Sequence, residues 1–220
     1  METNKGYLLV VEDIPDILTL LDTTLKFKGY RVVTARNGQE ALEQVQKEAP
    51  ALVITDILMP KMDGFSLVHR LRLEPETRSI PVLFLSATYV APEDKTFALT
   101  IGATRFMEKP VVLDDFLKLI EELMTKPAQV LKQPLSEKEF YEGYRKRLEI
   151  KLAEKNTQII RAKGLLKTVA EHEKESFSMS MLHAVSERKE ILRLLEEVNT
   201  RLANEEKEEK NEEKAGDVEA

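Results

Sequence analysis

The 220-residue sequence contains no cysteine, which excludes disulfides and thiolate metal sites. It has no run of about 18 apolar residues, so no membrane-spanning helix is expected. The amino terminus also lacks the basic-then-apolar pattern of a secretory signal. The expectation is a soluble, cytoplasmic chain that makes no use of a membrane. Aromatic residues are scarce, 6% against 33% charged, a helix-rich balance without a large aromatic core. Cations are outnumbered: a formal net charge of −6 argues against whole-protein attraction to nucleic acid while leaving room for a local basic patch. The length accommodates one core domain plus a smaller one, or one domain plus a long extension.

What is present is organised around Ala51-Leu-Val-Ile-Thr-Asp56-Ile-Leu-Met-Pro60-Lys-Met-Asp63-Gly64. The β-branched apolar run Leu52 to Thr55 predicts a buried strand that ends on an acid, Asp56. Pro60 and Asp63-Gly64 then punctuate a loop. Before this stretch, Tyr7 to Val11 is a second apolar run, closed by Glu12-Asp13. Pro15 opens a helix with Ile17, Leu18, Leu21, Leu25 and Phe27 as its buried stripe, stopped by Gly29. Tyr30 to Ala35 predicts a strand, and Asn37-Gly38 leads into a helix that turns Ala41, Leu42 and Val45 inward. After the central stretch come a helix over 65–73, a strand over 82–85 ending at Ser86, and a helix over about 92–101. A short strand over 104–107 is broken by Lys109-Pro110, and a last helix runs from Leu113 to about Thr125.

Five strand–helix alternations indicate a doubly wound α/β parallel sheet with right-handed crossovers. The first strand–helix turn, Glu12-Asp13-Ile14-Pro15, is acidic and has no glycine, so it would repel a pyrophosphate. That rules out a dinucleotide site or a P-loop. In an open parallel sheet, chemistry sits beyond the carboxyl ends of the strands. The ends here deliver Glu12 and Asp13, Asp56, Ser86 and Lys109. Clustered carboxylates repel unless a cation joins them, and hard oxygen ligands suit Mg²⁺. With an amine and a hydroxyl added, the set could clamp a phosphoryl group while a carboxylate attacks it in line.

Residues 1–126 resemble the receiver domain of two-component response regulators. The matching pieces are Val10-Val11-Glu12-Asp13, Ala35-Arg-Asn37-Gly38-Gln-Glu40-Ala41, Asp56 to Gly64, Leu85-Ser86-Ala87, and Gly102-Ala103 with Lys109-Pro110. The resemblance implies a flavodoxin-like five-stranded sheet of order 2-1-3-4-5. It implies that Asp56 is the phosphorylation site, taking its phosphoryl group from a histidine kinase. Asp13, Asp56 and the backbone carbonyl of Leu58 would hold Mg²⁺, with Glu12 supporting the ion through water. Ser86 and Lys109 would contact the phosphoryl oxygens, and Ser86 and Phe106 would form the switch pair. Such a protein assists only its own phosphorylation and dephosphorylation and is not an enzyme in the metabolic sense.

Beyond it, 127–135 form an expected linker, marked by Pro127 and Pro134. Ser136 and Glu139 fit a capping box opening a helical region over 136–203. Tyr141, Tyr144, Leu148, Leu152, Ile159, Ala162, Leu166 and Val169 make one apolar stripe. After a serine-rich break near 176–180, Phe177, Met181, Ala184, Arg188, Ile191, Leu195, Val198 and Leu202 make a coiled-coil seam, with Arg188 as a register device. Residues 143–170 carry eight Lys or Arg against two Glu; from 171 onward the count is eight against fifteen acids. Opposite signs favour a helical hairpin, or an oligomeric bundle built from such hairpins; one uninterrupted helix of roughly 100 Å is the alternative. Residues 204–220 form a charged, frayed or disordered tail.

The expected output is protein–protein interaction, with a homodimer through the coiled coil. A DNA-binding transcriptional regulator with an atypical helical output is the other reading; nucleic acid is the less favoured partner because no compact trihelical core is apparent. His172-Glu173 resembles the acceptor motif of histidine kinases only weakly, and His69, His172 and His183 are expected at the surface.

Overall fold

The computed structural model describes residues 6–125, 133–168 and 171–216. The chain divides into two compact units, Met1–Leu135 and Ser136–Ala220.

The first unit holds five strands: β1 Leu8–Val11, β2 Val32–Ala35, β3 Leu52–Asp56, β4 Val82–Ser86 and β5 Arg105–Glu108. Helices α1 Pro15–Phe27, α2 Gly38–Lys47, α3 Gly64–Leu73, α4 Pro92–Thr100 and α5 Leu113–Thr125 alternate with them. The sheet is parallel throughout, in the order β2-β1-β3-β4-β5. This is the doubly wound, flavodoxin-like arrangement. Because successive side chains face opposite ways, Leu8, Val10, Leu52, Ile54, Leu83 and Leu85 meet Leu21 and Leu25 of α1 and Phe116 and Ile120 of α5 in one buried layer. On the other face, Phe84 packs edge-on against Phe65 of α3, ring centroids 5.4 Å apart.

Two positions depart from the periodic pattern. Phe27 is 87% exposed, since its place two residues after Leu25 turns it to the opposite side of α1. His69 is buried, and its Nε2 lies 3.2 Å from the carbonyl oxygen of Leu135. That contact spans 66 residues and leaves no trace in local sequence.

Arg72 is also buried. Its Nε and Nη2 donate to the carbonyl of Gly102 at 3.0 and 2.8 Å, and burial pulls the guanidinium down to about 10. Gly102 sits at φ +106°, and a Cβ there would come 2.7 Å from Arg72 Nε. The clamp fixes the turn between α4 and β5.

The second unit is a pair of helices, α6 Glu137–Leu165 and α7 Glu171–Gly216. Ser136 caps α6 through the expected box: the Glu139 N–H donates to Ser136 Oγ at 3.2 Å, and the Ser136 N–H donates to Glu139 Oε2 at 3.0 Å. Lys155 pairs with Glu187 at 2.7 Å, Arg188 Nε donates to Asn156 Oδ1 at 2.6 Å, and the Arg201 guanidinium lies 5.5 Å from the Tyr141 ring centroid. From the Tyr141–Arg201 level to the Lys155–Glu187 level one residue number rises as the other falls, so α6 and α7 form an antiparallel hairpin.

The break lies between 165 and 171. Residues 176–180 are helical, so the serine-rich stretch is not a break. Ala184, Ile191, Leu195, Val198 and Leu202 are buried as the seam requires, whereas Leu152 is only half-buried and Lys151 takes the inward place. The pairing of 148, 151, 155, 159 and 162 keeps the seam straight, and the lysine stem supplies apolar surface. Helix α7 continues to Gly216. Pro127 and Val169 lie outside the described residues, as does most of the expected linker.

Replacing Arg72 by Met should leave the Gly102 carbonyl without its charged donor and lower stability by about 2 kcal/mol. Urea unfolding checks this; an unchanged midpoint would show that the clamp contributes nothing.

Candidate functional site

The parallel register determines which side chains meet. Val11 is paired with Thr55, so the next residues, Glu12 and Asp56, stand side by side. Asp56 is paired with Leu85, and Ser86 with Glu108, which brings Ser86 and Lys109 one step beyond it. The Lys109 N–H donates to the Ser86 carbonyl at 2.9 Å and ties the fifth strand end to the fourth.

Lys109 Nζ donates to Glu12 Oε2 at 2.6 Å and to Asp56 Oδ2 at 2.9 Å. Asp56 Oδ1 accepts the Ile57 N–H at 2.6 Å. Burial pushes the Asp56 carboxyl above its ordinary range, opposed chiefly by the Lys109 charge. Burial would pull Lys109 down, but Asp56 and Glu12 together hold its amine above the usual value, so it stays protonated. Carboxylate oxygens of Glu12, Asp13 and Asp56 all lie within 4.8 Å of one another. Glu12 is buried and Asp13 half-buried. An all-oxygen, multiply acidic set of this kind suits a hard divalent cation. Leu58, in the β3–α3 connection, is half-buried two residues past Asp56.

Gly64 allows that connection to close. A Cβ there would lie 2.2 Å from the Asp56 carbonyl oxygen, so only glycine lets α3 begin against the end of β3. Asp63 caps the helix, accepting the Ser66 N–H at 3.0 Å. Asp63 therefore has a structural task and does not belong to the acidic trio.

The Ser86 hydroxyl is buried and accepts the N–H groups of Thr88 and Tyr89 at 3.2 and 3.0 Å. Phe106 is half-buried on the edge strand β5, with Lys95 Nζ of α4 5.9 Å from its ring centroid. Lys95 also pairs with Glu108. Glu12, Asp13, Asp56 and Lys109 are thus brought into one cluster with Ser86 beside it, while Phe106 lies apart on the strand leading to Lys109. Sequence reasoning missed Tyr89 and Lys95. Tyr89 is fully buried and packs edge-on against Phe65 at 5.2 Å. The only sequence signal was an aromatic three residues past a strand-end serine. His172 has no described side chain, and His183 is exposed beside Glu187 at 3.6 Å.

Comparison with known proteins agrees with this geometry. The response regulator receiver domain family matches residues 8–121. The "Probable transcriptional regulator ycf27" of Pyropia yezoensis is 41% identical over 110 residues, covering 50% of this chain and 44% of that protein. The alkaline phosphatase synthesis transcriptional regulatory protein PhoP of Bacillus subtilis is 39% identical over 103 residues, 47% of this chain and 42% of that one. The chain therefore spans less than half the length of these two curated relatives. Among solved structures, the chemotaxis response regulator CheY4 of Vibrio cholerae is 34% identical with a TM-score of 0.51, covering 54% of this chain and 98% of that one.

Asp13→Asn should weaken Mg²⁺ binding by roughly 10–100-fold while leaving the fold intact. Calorimetric titration measures it; unchanged affinity would remove Asp13 from the ligand set.

Proposed function

The chain belongs to the response regulator receiver family, and from that membership we propose that it is a two-component phospho-acceptor whose output is protein–protein interaction. Asp56 accepts a phosphoryl group from a histidine kinase. The receiver face of α4, β5 and α5, together with the helical region, then changes its contacts. The observation that carries this reading is the bridging of buried Glu12 and half-buried Asp56 by the Lys109 amine.

In the proposed step an Asp56 carboxylate oxygen attacks phosphorus in line. The new O–P bond forms as the P–N bond to the kinase histidine breaks, and the imidazole nitrogen keeps the electron pair. Lys109, already at 2.9 Å from Asp56, follows the charge onto a phosphoryl oxygen. Asp13, Asp56 and the Leu58 carbonyl, with Glu12 behind them, would hold Mg²⁺, which when bound neutralises the crowded negative charge. Phosphorylation adds about one to two negative charges and three strong acceptors. The Ser86 hydroxyl leaves the Thr88 and Tyr89 N–H groups for the new oxygens, and Phe106 turns inward from beneath Lys95. The equilibrium of the α4–β5–α5 face shifts accordingly.

The protein turns over no separate metabolite and assists only its own phosphorylation and dephosphorylation. Among the described residues no helix is long and apolar enough to cross a membrane, and the proposed setting is the cytoplasm. Self-association through the helical region belongs to the same reading.

A second reading, DNA binding, is favoured by the regulators just compared and by the basic run Arg145-Lys146-Arg147. Titration with random-sequence duplex separates the two. Affinity that falls steeply with salt supports DNA binding, and no binding at low salt leaves the interaction reading standing.

Asp56→Asn should abolish Mg²⁺-dependent labelling by acetyl phosphate. Label persisting on the variant would mean that the acceptor lies elsewhere.

A further inference from the structure

Helix α3 runs from the acceptor towards contacts with the segment that precedes α6. Its first residue, Gly64, stands against the Asp56 carbonyl, and the Gly64 N–H donates to the Ile57 carbonyl at 2.8 Å. Phe65 follows, fully buried, and its ring meets three others edge-on. These are Phe84 of β4 at 5.4 Å, Tyr89 of the β4–α4 connection at 5.2 Å and Phe97 of α4 at 5.2 Å. Tyr89 is the link to Ser86, because its N–H donates to the Ser86 hydroxyl at 3.0 Å while its ring packs on Phe65. One turn along α3 from Phe65, on the same face, comes His69. It is 2% exposed, and its Nε2 lies 3.2 Å from the Leu135 carbonyl oxygen. A carbonyl can only accept, so Nε2 carries the proton. Leu135 is followed directly by Ser136, whose hydroxyl caps α6.

We propose that α3 is an output route separate from the Phe106 face, with Tyr89 passing the state of Asp56 to it and His69 as the latch it releases. This rests on the reading of Asp56 as the phospho-acceptor. With Asp56 unmodified, Ser86 holds the Tyr89 N–H, the Tyr89 ring holds Phe65, and His69 holds Leu135 at the entry to α6. When the Ser86 hydroxyl turns to the phosphoryl oxygens, Tyr89 loses its anchor and its ring withdraws from Phe65. A close-packed interior does not keep the void this leaves. The shift at Ser86 is therefore handed on as a change of packing between two arrangements, not absorbed as gradual strain. Helix α3 repacks, and the His69–Leu135 bond opens. Tyr89 and His69 are positioning residues in this route, and neither side chain touches the reacting atoms.

The test is amide hydrogen exchange on the full chain in Mg²⁺, with and without beryllofluoride, a phosphoryl mimic, read over 86–89 and over 133–140. In wild type the mimic should alter exchange at both places, and raise it over 133–140 by roughly five-fold, as the loss of one hydrogen bond would. His69→Leu should show the raised rate with or without the mimic, and His69→Gln, which keeps a donor, should restore the response. Tyr89→Leu should keep the change over 86–89 and lose it over 133–140. Tyr89→Phe, which keeps the ring, should respond as wild type does. A wild-type response over 86–89 with none over 133–140 would overturn the route. So would a response over 133–140 that survives both leucine variants. Acetyl phosphate labelling of wild-type Asp56 separates the two claims. No label and no exchange response anywhere would strike the phospho-acceptor reading, and the route would fall with it; a label without a response over 133–140 strikes the route alone.

Discussion

One amine between a buried and a half-buried acid is the interaction on which the rest of this structure depends. Glu12 and Asp56 stand side by side because β1 and β3 are parallel and in register, and burial alone would drive the Asp56 carboxyl toward the neutral form. Lys109 offsets that cost with bonds of 2.6 and 2.9 Å. Its position is in turn fixed by the bond from its N–H to the Ser86 carbonyl. Three strand ends are therefore coupled through one charge. Lys109 thus joins Asp56 to the Ser86 carbonyl and to β5, and the strand carrying Phe106 is the strand that delivers Lys109.

The helical unit solves a different problem with the same tools. A two-helix hairpin has one seam, and a uniformly apolar seam can slip by a turn. Lys155 with Glu187, and Asn156 with Arg188, place a polar layer across it, so a shifted register would leave charges without partners. The charge reversal between the two helices adds a nonspecific attraction between them, and the polar layer sets the level.

Much of this was legible in the sequence because the decisive signals are local. The strand ends at Asp56, Ser86 and Lys109 show as apolar runs stopped by polar residues, and the parallel register then needs only the alternation of helix and strand. Arg188 stood out as the one charge in an apolar seam, and its bond to Asn156 is what a register device should make. What escaped notice depends on partners distant in sequence. His69 lies on a helix whose periodicity says nothing of Leu135, and Arg72 looks like a surface residue until Gly102 arrives to accept its bonds. Lys151 displaced Leu152 because a seam obeys the pairing of two helices, while sequence shows only one. The serines at 176–180 suggested a break from composition, yet serine is a tolerable helix former, and the turn instead fell where the charge sign reverses.

The central claim is that phosphorus is captured by the side chain of residue 56 within this cation-balanced pocket. Borohydride reduction converts an aspartyl phosphate to homoserine, and peptide mass mapping can locate it after treatment with acetyl phosphate. The account predicts homoserine at position 56 alone, and only when Mg²⁺ is present. Homoserine at another acidic position, or an unmodified residue 56 in fully folded, Mg²⁺-loaded protein, would contradict it.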